Sequence, residues 1–119
     1  MKLADQIAVI VGGARGIGEA IAHTFAGEGA KIVLVDLEKM KPELDSVTRA
    51  IQEKGGEAVA LTADATNNAQ VNKMVADVVS KWGRLDILVN SVGFRGPMVQ
   101  VHEITEEEWD AVLNVNLKA

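Results

Sequence analysis

Three glycines and the helix that follows them carry the first chemical signal in the sequence. Gly12, Gly16 and Gly18 have the spacing G-x-x-x-G-x-G, directly after the apolar run 7–11 and at the start of a helical pattern. A helix N-terminus offers unpaired N–H groups and partial positive charge, and glycines let a phosphate approach that backbone. A tight turn packed against a sheet is the alternative for an isolated glycine motif. The loop predicts an anion site if other residues agree.

Asp36 supplies that agreement, because it follows the next apolar run, 31–35, at an offset of twenty residues from Gly16. A carboxylate at this offset can accept hydrogen bonds from an adenosine ribose, so the bound anion is predicted to be a dinucleotide. The carboxylate would also repel the 2′-phosphate of NADP, and Leu37 offers no compensating cation. NAD is therefore the predicted cofactor and NADP is less favoured. Arg15 could help to hold an extra phosphate, with a solvated loop residue as the alternative interpretation.

Four apolar runs alternate with helical patterns along the chain. The predicted strands are 7–11, 31–35, 57–61 and 85–89, and the predicted helices are 16–28, 42–54, 67–82 and a last one from 105 onward. Continuous apolar runs are typical of strands that are buried on both faces of a parallel sheet. The alternation predicts an α/β fold with a Rossmann-like, doubly wound parallel sheet of about four strands in the order 3-2-1-4. Its ligand crevice would lie between the first and fourth strands.

Helix faces and helix starts can be read from the same segments. Apolar residues at helical spacing predict three buried faces, formed by Ile17, Ala20, Ile21, Thr24 and Phe25, by Leu44, Val47 and Ile51, and by Val71, Met74, Val75, Val78 and Trp82. Thr66 or Asn67 is predicted to cap the third helix. Thr105 and Glu108 have the spacing of a capping box at the start of the fourth.

Composition limits the function classes. The 119 residues carry a formal charge of −5, with 48% hydrophobic and 24% charged residues, which predicts one packed domain over 1–119 and disfavours nucleic acid or membrane as a partner. The absence of cysteine excludes a disulfide framework and a thiolate metal site, and it agrees with a cytoplasmic location. His23 and His102 have no evident partners for a metal site, so none is predicted.

Together these motifs resemble the short-chain dehydrogenase/reductase family, and specifically its N-terminal, cofactor-binding half, over the whole chain. The resemblance implies that the glycine loop holds a pyrophosphate, that Asp36 binds the ribose and that Asp64 holds the adenine amine. A strand-end cap is the alternative for Asp64. The complete predicted cofactor-binding set is Gly12, Arg15, Gly16, Ile17, Gly18, Asp36, Asp64, Ala65, Asn90 and Gly93.

The chain departs from the family pattern around the exit of the fourth strand. Asn90-Ser91-Val92-Gly93 looks like the family's Asn-Asn-Ala-Gly, with Ser91 and Val92 as differences. Val11 stands where the family usually has a threonine, whose hydroxyl ties the first strand to this turn. Valine keeps the shape but loses the hydrogen bond, at an expected cost of about 1 kcal/mol.

Catalysis is where the resemblance is incomplete. The segment 109–118 is similar to the family's fifth helix, and Asn116 takes the place of its catalytic asparagine. The family's Tyr-x-x-x-Lys cannot be formed, because the chain contains no tyrosine. We therefore expect the chain to be truncated and inactive alone, with an alcohol or carbonyl substrate only if a catalytic half is present. Phe94, Arg95 and Met98 are weak candidates for the substrate mouth.

A non-catalytic nucleotide-binding or dimerisation module is the alternative function. If the sheet stops at the fourth strand, the run 85–89 is an apolar edge that can pair with another chain. A homo-oligomer formed through this strand or the last helix is therefore predicted.

Overall fold

Four parallel strands form one sheet in the computed structural model, which describes residues 2–92 and 105–113. The strands are β1 (Ile7–Val11), β2 (Lys31–Asp36), β3 (Glu57–Thr62) and β4 (Ile87–Asn90). Their order is β3-β2-β1-β4, and every neighbouring pair is parallel. The predicted fold class and strand order are therefore confirmed.

Four α-helices connect or follow the strands in the described part of the chain. They are α1 (Gly16–Gly27), α2 (Lys41–Glu53), α3 (Asn68–Trp82) and α4 (Glu106–Leu113), and a 3-10 turn at Glu38–Met40 that was not predicted precedes α2. Asn67 caps α3 by accepting the Gln70 N–H at 3.1 Å, as one of the two predicted caps. The predicted capping box of α4 is confirmed, since Thr105 Oγ1 accepts the Glu108 N–H at 3.1 Å and Glu108 accepts the Thr105 N–H at 3.4 Å.

The core lies on both faces of the sheet. On one face, α1 and α2 bury side chains against alternate strand residues, in a cluster that includes Ala8, Ile10, Ile32, Leu34, Ala22, Leu44, Val47 and Ile51. On the other face α3 packs against the remaining strand residues, in a cluster that includes Ile7, Val9, Val33, Val35, Met74 and Val78. All of β1 and the middle of β2 are buried, which explains why their sequences are continuous apolar runs.

The predicted buried face of α1 is correct for Ile21 and Phe25, which pack against the core cluster that contains Ala22, and wrong for its other three residues. Ile17 is 74% exposed and Ala20 and Thr24 are also exposed, whereas Gly18 and Ala22 are buried. The reason is that α1 approaches the loop after β1 so closely that its smallest residues must face inward. In α3, Met74 and Val78 are buried as predicted, but Val75 is 38% exposed.

The fourth strand also begins two residues later than predicted, because Asp86 connects it to the start of β1 through its side chain as well as its main chain. Its N–H donates to the Ile7 carbonyl at 3.0 Å, and its Oδ2 accepts the Ile7 N–H at 2.8 Å. Arg84 donates from Nη2 and Nε to Asp86 Oδ1 at 2.6 and 2.9 Å. These bonds, the one from Arg84 first, hold the pKa of Asp86 below its ordinary value of 3.8. Asp86 thus joins the amino ends of β1 and β4.

Asp86→Asn tests this connection through its pH dependence. Because the pKa is lowered in the folded protein, the carboxylate's contribution to stability is fully present above about pH 4 and is lost as the pH falls through the lowered pKa. We expect the substitution to lower the free energy of unfolding at neutral pH, and the deficit to shrink at about pH 3, measured by urea unfolding. Asp45→Asn, which removes a surface pair with Lys41 at 3.9 Å, is the control. An equal deficit at both pH values would contradict this role.

Candidate dinucleotide-binding site

The candidate site lies where β1, β2 and β4 end. The loop after β1 is fastened there by three consecutive N–H groups: Gly12 and Gly13 donate to the Val35 carbonyl at 2.8 and 3.2 Å, and Ala14 donates to Asp36 Oδ2 at 3.2 Å. These three groups point toward β2. They are therefore already hydrogen-bonded within the protein and are not available to an anion.

The start of α1 is open to a ligand. Arg15 is the extended N-cap residue, and no side chain caps the helix. Gly16 has φ +61°, and a Cβ built on it would meet nothing within 4 Å, so this glycine is needed for its backbone conformation rather than for space. The first N–H groups of an α-helix lack intrahelical partners. Gly16 and Ile17 are exposed, whereas Gly18 is buried. The N–H groups of this turn can therefore present donors and partial positive charge to an anion.

Gly12 and Gly18 are required for packing. A Cβ on Gly18 would collide with the Gly12 carbonyl oxygen, and a Cβ on Gly12 would lie 2.9 Å from the carbonyl carbon and oxygen of Ser91. Gly12 also has φ +84°. The loop is thus enclosed between the first turn of α1 and the chain that leaves β4.

The exit of β4 is tied to β1 through the main chain. The Ser91 N–H donates to the Val11 carbonyl at 2.8 Å, so the two strands stay joined although Val11 has no hydroxyl. Asn90, the last residue of β4, accepts the Val92 N–H on Oδ1 at 3.1 Å, which shapes the turn. Gly93, the last predicted residue of this turn, lies outside the described residues.

Asp36 ends β2 beside the glycine loop. Its half-buried carboxylate accepts the Ala14 N–H on Oδ2 and the Leu37 N–H on Oδ1, the latter at 2.8 Å. A carboxylate has about four lone-pair sites, so each oxygen can accept a further hydrogen bond. The main-chain carbonyl of Asp36 accepts the Ala63 N–H at 2.9 Å, which brings the exit of β3 alongside.

Asp64 follows Ala63 and forms the cap that was its alternative interpretation. Its Oδ1 accepts the Thr66 hydroxyl at 2.6 Å and the Thr66 N–H at 2.9 Å. These two bonds, the hydroxyl one first, hold the pKa of the carboxyl below 3.8, so Asp64 is an ionised acceptor at neutral pH. The Asp64 N–H donates to Gln70 Oε1 at 2.8 Å, and Ala65 packs against the α3 core. A cap and a ligand acceptor are compatible uses of one carboxylate.

The structure thus places most of the predicted site residues along one edge of the sheet. Gly12, Gly18 and Asp36 belong to a single hydrogen-bonded and packed unit, with Asn90 on one side and Asp64 and Ala65 on the other. Arg15, Gly16 and Ile17 lie in the exposed segment between Gly12 and Gly18. Gly93, Asn116 and the substrate-mouth candidates Phe94, Arg95 and Met98 lie outside the described residues.

Sequence reasoning missed two residues of this unit. A Cβ on Gly13 would lie 2.5 Å from Leu34 Cδ2, so a larger residue here would require the buried Leu34 side chain to shift. Ala14 is 2% exposed and bonded to Asp36. Two consecutive glycines, Gly12 and Gly13, could have indicated close packing of the loop. Nothing in the sequence indicates the hydrogen bond between Ala14 and Asp36.

The described part of the chain has neither a metal-binding cluster nor a membrane-spanning helix. Among residues 2–92 and 105–113, no group of three or more histidine, aspartate or glutamate side chains could hold a metal ion. In the same part of the chain, no helix has the length and apolarity to cross a membrane.

Comparisons with known proteins agree with this architecture. A family model described as short chain dehydrogenase matches residues 6–119. The 3-oxoacyl-(acyl-carrier-protein) reductase FabG of Thermotoga maritima is 38% identical over 118 residues, 99% of this chain and 47% of that protein. The 2,3-dihydro-2,3-dihydroxybenzoate dehydrogenase of Bacillus subtilis is 39% identical over 111 residues, 93% of this chain and 41% of that protein.

A solved structure is also similar to this chain over nearly its whole length. The crystal structure of a metagenomic short-chain oxidoreductase in complex with NADP matches with a TM-score of 0.91 and 36% identity, over 99% of this chain and 52% of that chain. The chain therefore spans about half the length of the relatives it matches.

Gly18→Ala tests the packing of the loop. Because the new Cβ would collide with the Gly12 carbonyl, we expect the free energy of unfolding to fall by about 1–3 kcal/mol, measured by urea unfolding. Gly27→Ala, at the other end of α1, is the matched control: its Cβ meets nothing within 4 Å, and a gain of up to about 1 kcal/mol is expected. A Gly18→Ala protein as stable as the unmodified chain would contradict the packing described above.

Proposed function

This chain belongs to the short-chain dehydrogenase family, and we propose that it is the NAD-binding portion of an oxidoreductase. The proposal depends on one observation. The uncapped start of α1 directly follows a loop in which the Ala14 N–H is hydrogen-bonded to the Asp36 carboxylate. A phosphate-binding helix end and a ribose-binding acid are thus held in one unit. Hydride transfer between NAD and a small alcohol or carbonyl compound is proposed for the whole protein.

Each part of the dinucleotide has a proposed partner. The pyrophosphate would be bound by the N–H groups of Gly16, Ile17 and Gly18, since those of the preceding loop residues are bonded to β2. The adenosine ribose would donate to Asp36, and the adenine amine would donate to Asp64. Both carboxylates are already oriented by hydrogen bonds from their own loops, which reduces the ordering that binding requires.

The preference for NAD over NADP rests on charge. A 2′-phosphate would lie next to the Asp36 carboxylate, and the groups seen around that carboxylate are the neutral N–H groups of Ala14 and Leu37. Arg15 is exposed at the N-cap of α1, between Gly12 and Gly16 of the glycine motif, where a guanidinium could help to hold an extra phosphate. The related metagenomic oxidoreductase was crystallised with NADP, which makes the choice of cofactor an experimental question for this chain.

A second function is favoured by composition. The chain contains no tyrosine, so it cannot supply the family's Tyr-x-x-x-Lys, and Asn116 would be one member of an incomplete catalytic set. A nucleotide-binding or dimerisation module without catalysis is therefore the alternative. In either case we propose one incomplete domain over 1–119 in the cytoplasm, as a homo-oligomer.

Titration with NADH and NADPH, followed by cofactor fluorescence, tests the binding proposal. NADH should bind at least about tenfold more tightly, because the 2′-phosphate meets the Asp36 carboxylate. Asp36→Ala should narrow this ratio, whereas Asp77→Ala, which removes an exposed carboxylate on α3, should leave it unchanged. Equal or tighter binding of NADPH would contradict the proposed preference.

A turnover assay tests the expectation, common to both functions, that the 119 residues are inactive alone. The 119-residue chain, incubated with NAD and a panel of small alcohols, should form no NADH, because the proton-transferring tyrosine is absent. Sustained NADH formation that scales with the concentration of the chain would eliminate the non-catalytic alternative.

A further inference from the structure

We infer that Asp36 is also a positioning residue for the glycine loop, in addition to the ribose-binding role on which this inference rests. The observation is its bond to Ala14, whose N–H donates to Oδ2 at 3.2 Å. Ala14 is 2% exposed, and the backbone N–H groups of buried residues are nearly always hydrogen-bonded, because an unpaired one is costly. The Asp36 side chain is the partner of the Ala14 N–H.

This bond differs from the other two that fasten the loop. Gly12 and Gly13 donate to the Val35 carbonyl, and that acceptor is present whatever the side chain at 35. The bond from Ala14 depends on a side chain, so a substitution can remove it. On its other oxygen Asp36 accepts the Leu37 N–H at 2.8 Å, which fixes the orientation of the carboxylate. Asp36 therefore acts as a clamp between the end of β2 and the loop.

Loop positioning and ribose binding can coexist on the same carboxylate. Two of its roughly four lone-pair sites are used by Ala14 and Leu37, which leaves two for the ribose hydroxyls. The two subsites of the dinucleotide are then coupled through one residue. Removing the carboxylate would relieve repulsion of a 2′-phosphate, but it would also leave the Ala14 N–H buried and unpaired. Replacement of Asp36 should thus weaken the binding of the pyrophosphate of both NAD and NADP.

Amide hydrogen exchange of the chain without dinucleotide tests the clamp directly. In Asp36→Ala the Ala14 amide should exchange at least about tenfold faster than in the unmodified chain, because a hydrogen bond to a charged group is lost. Glu38→Ala is the matched control, since it removes a neighbouring carboxylate from the 3-10 turn and should leave Ala14 exchange unchanged. An Asp36→Ala rate within twofold of the unmodified chain would overturn the inference.

Asp36→Asn keeps the test usable if Asp36→Ala does not fold. An asparagine has one carbonyl oxygen for two N–H donors that occupy different carboxylate oxygens. At least one of the Ala14 and Leu37 amides must then exchange faster. Unchanged exchange at both would overturn the inference.

Binding of an NAD analogue with a 2′,3′-dideoxyadenosine separates the two roles of Asp36. This analogue has the pyrophosphate but lacks the ribose hydroxyls, so a residue that acts through the ribose alone cannot affect its binding. We expect Asp36→Ala to bind it several-fold more weakly than the unmodified chain does. Equal affinity would overturn the positioning role. If the unmodified chain binds neither NAD nor the analogue, the proposed function fails, while the exchange result for Ala14 stands independently.

Discussion

The structure depends on the close approach of three backbone segments at the carboxyl edge of the sheet. The loop after β1 is enclosed by the end of β2, the first turn of α1 and the chain leaving β4, at distances that leave no room for a Cβ on Gly12 or Gly18. Such an approach buries backbone N–H groups, and each must be hydrogen-bonded. Val35 and Asp36 supply the acceptors for three of them. The position of the loop therefore follows from the hydrogen bonds of its backbone N–H groups and from the absence of a Cβ on Gly12 and Gly18.

That constraint explains why the motif residues differ in their roles. Gly12 and Gly18 allow segments to touch, while Gly16 provides a positive φ in an open position. With the preceding N–H groups bonded to β2, the uncapped end of α1 is left to face a ligand. The opposite end of the sheet is joined instead by Asp86, so β1 and β4 are connected beyond both ends of their paired segment.

Much of the fold was predictable, because strand burial and helix capping depend on local sequence. The run 7–11 and the capping box at Thr105 match the structure without change. The errors arise where a contact between two different segments determines which side chains are buried. Ile17 fits an apolar helical face, but contact between Gly18 and Gly12 turns it outward. For the site, the glycines and acids were visible in the sequence, whereas the bond of Ala14 depends on a tertiary distance that no spacing encodes.

We propose that the loop stays fastened to β2 while the start of α1 binds the phosphates. Backbone amide chemical shifts, followed by NMR during titration with NAD, test it most directly. We expect the largest chemical-shift changes at the amides of Gly16, Ile17 and Gly18. The amides of Gly12 to Ala14 should stay protected from hydrogen exchange in the bound state. Loss of protection at Gly12 to Ala14 on binding, with no change at the start of α1, would contradict it.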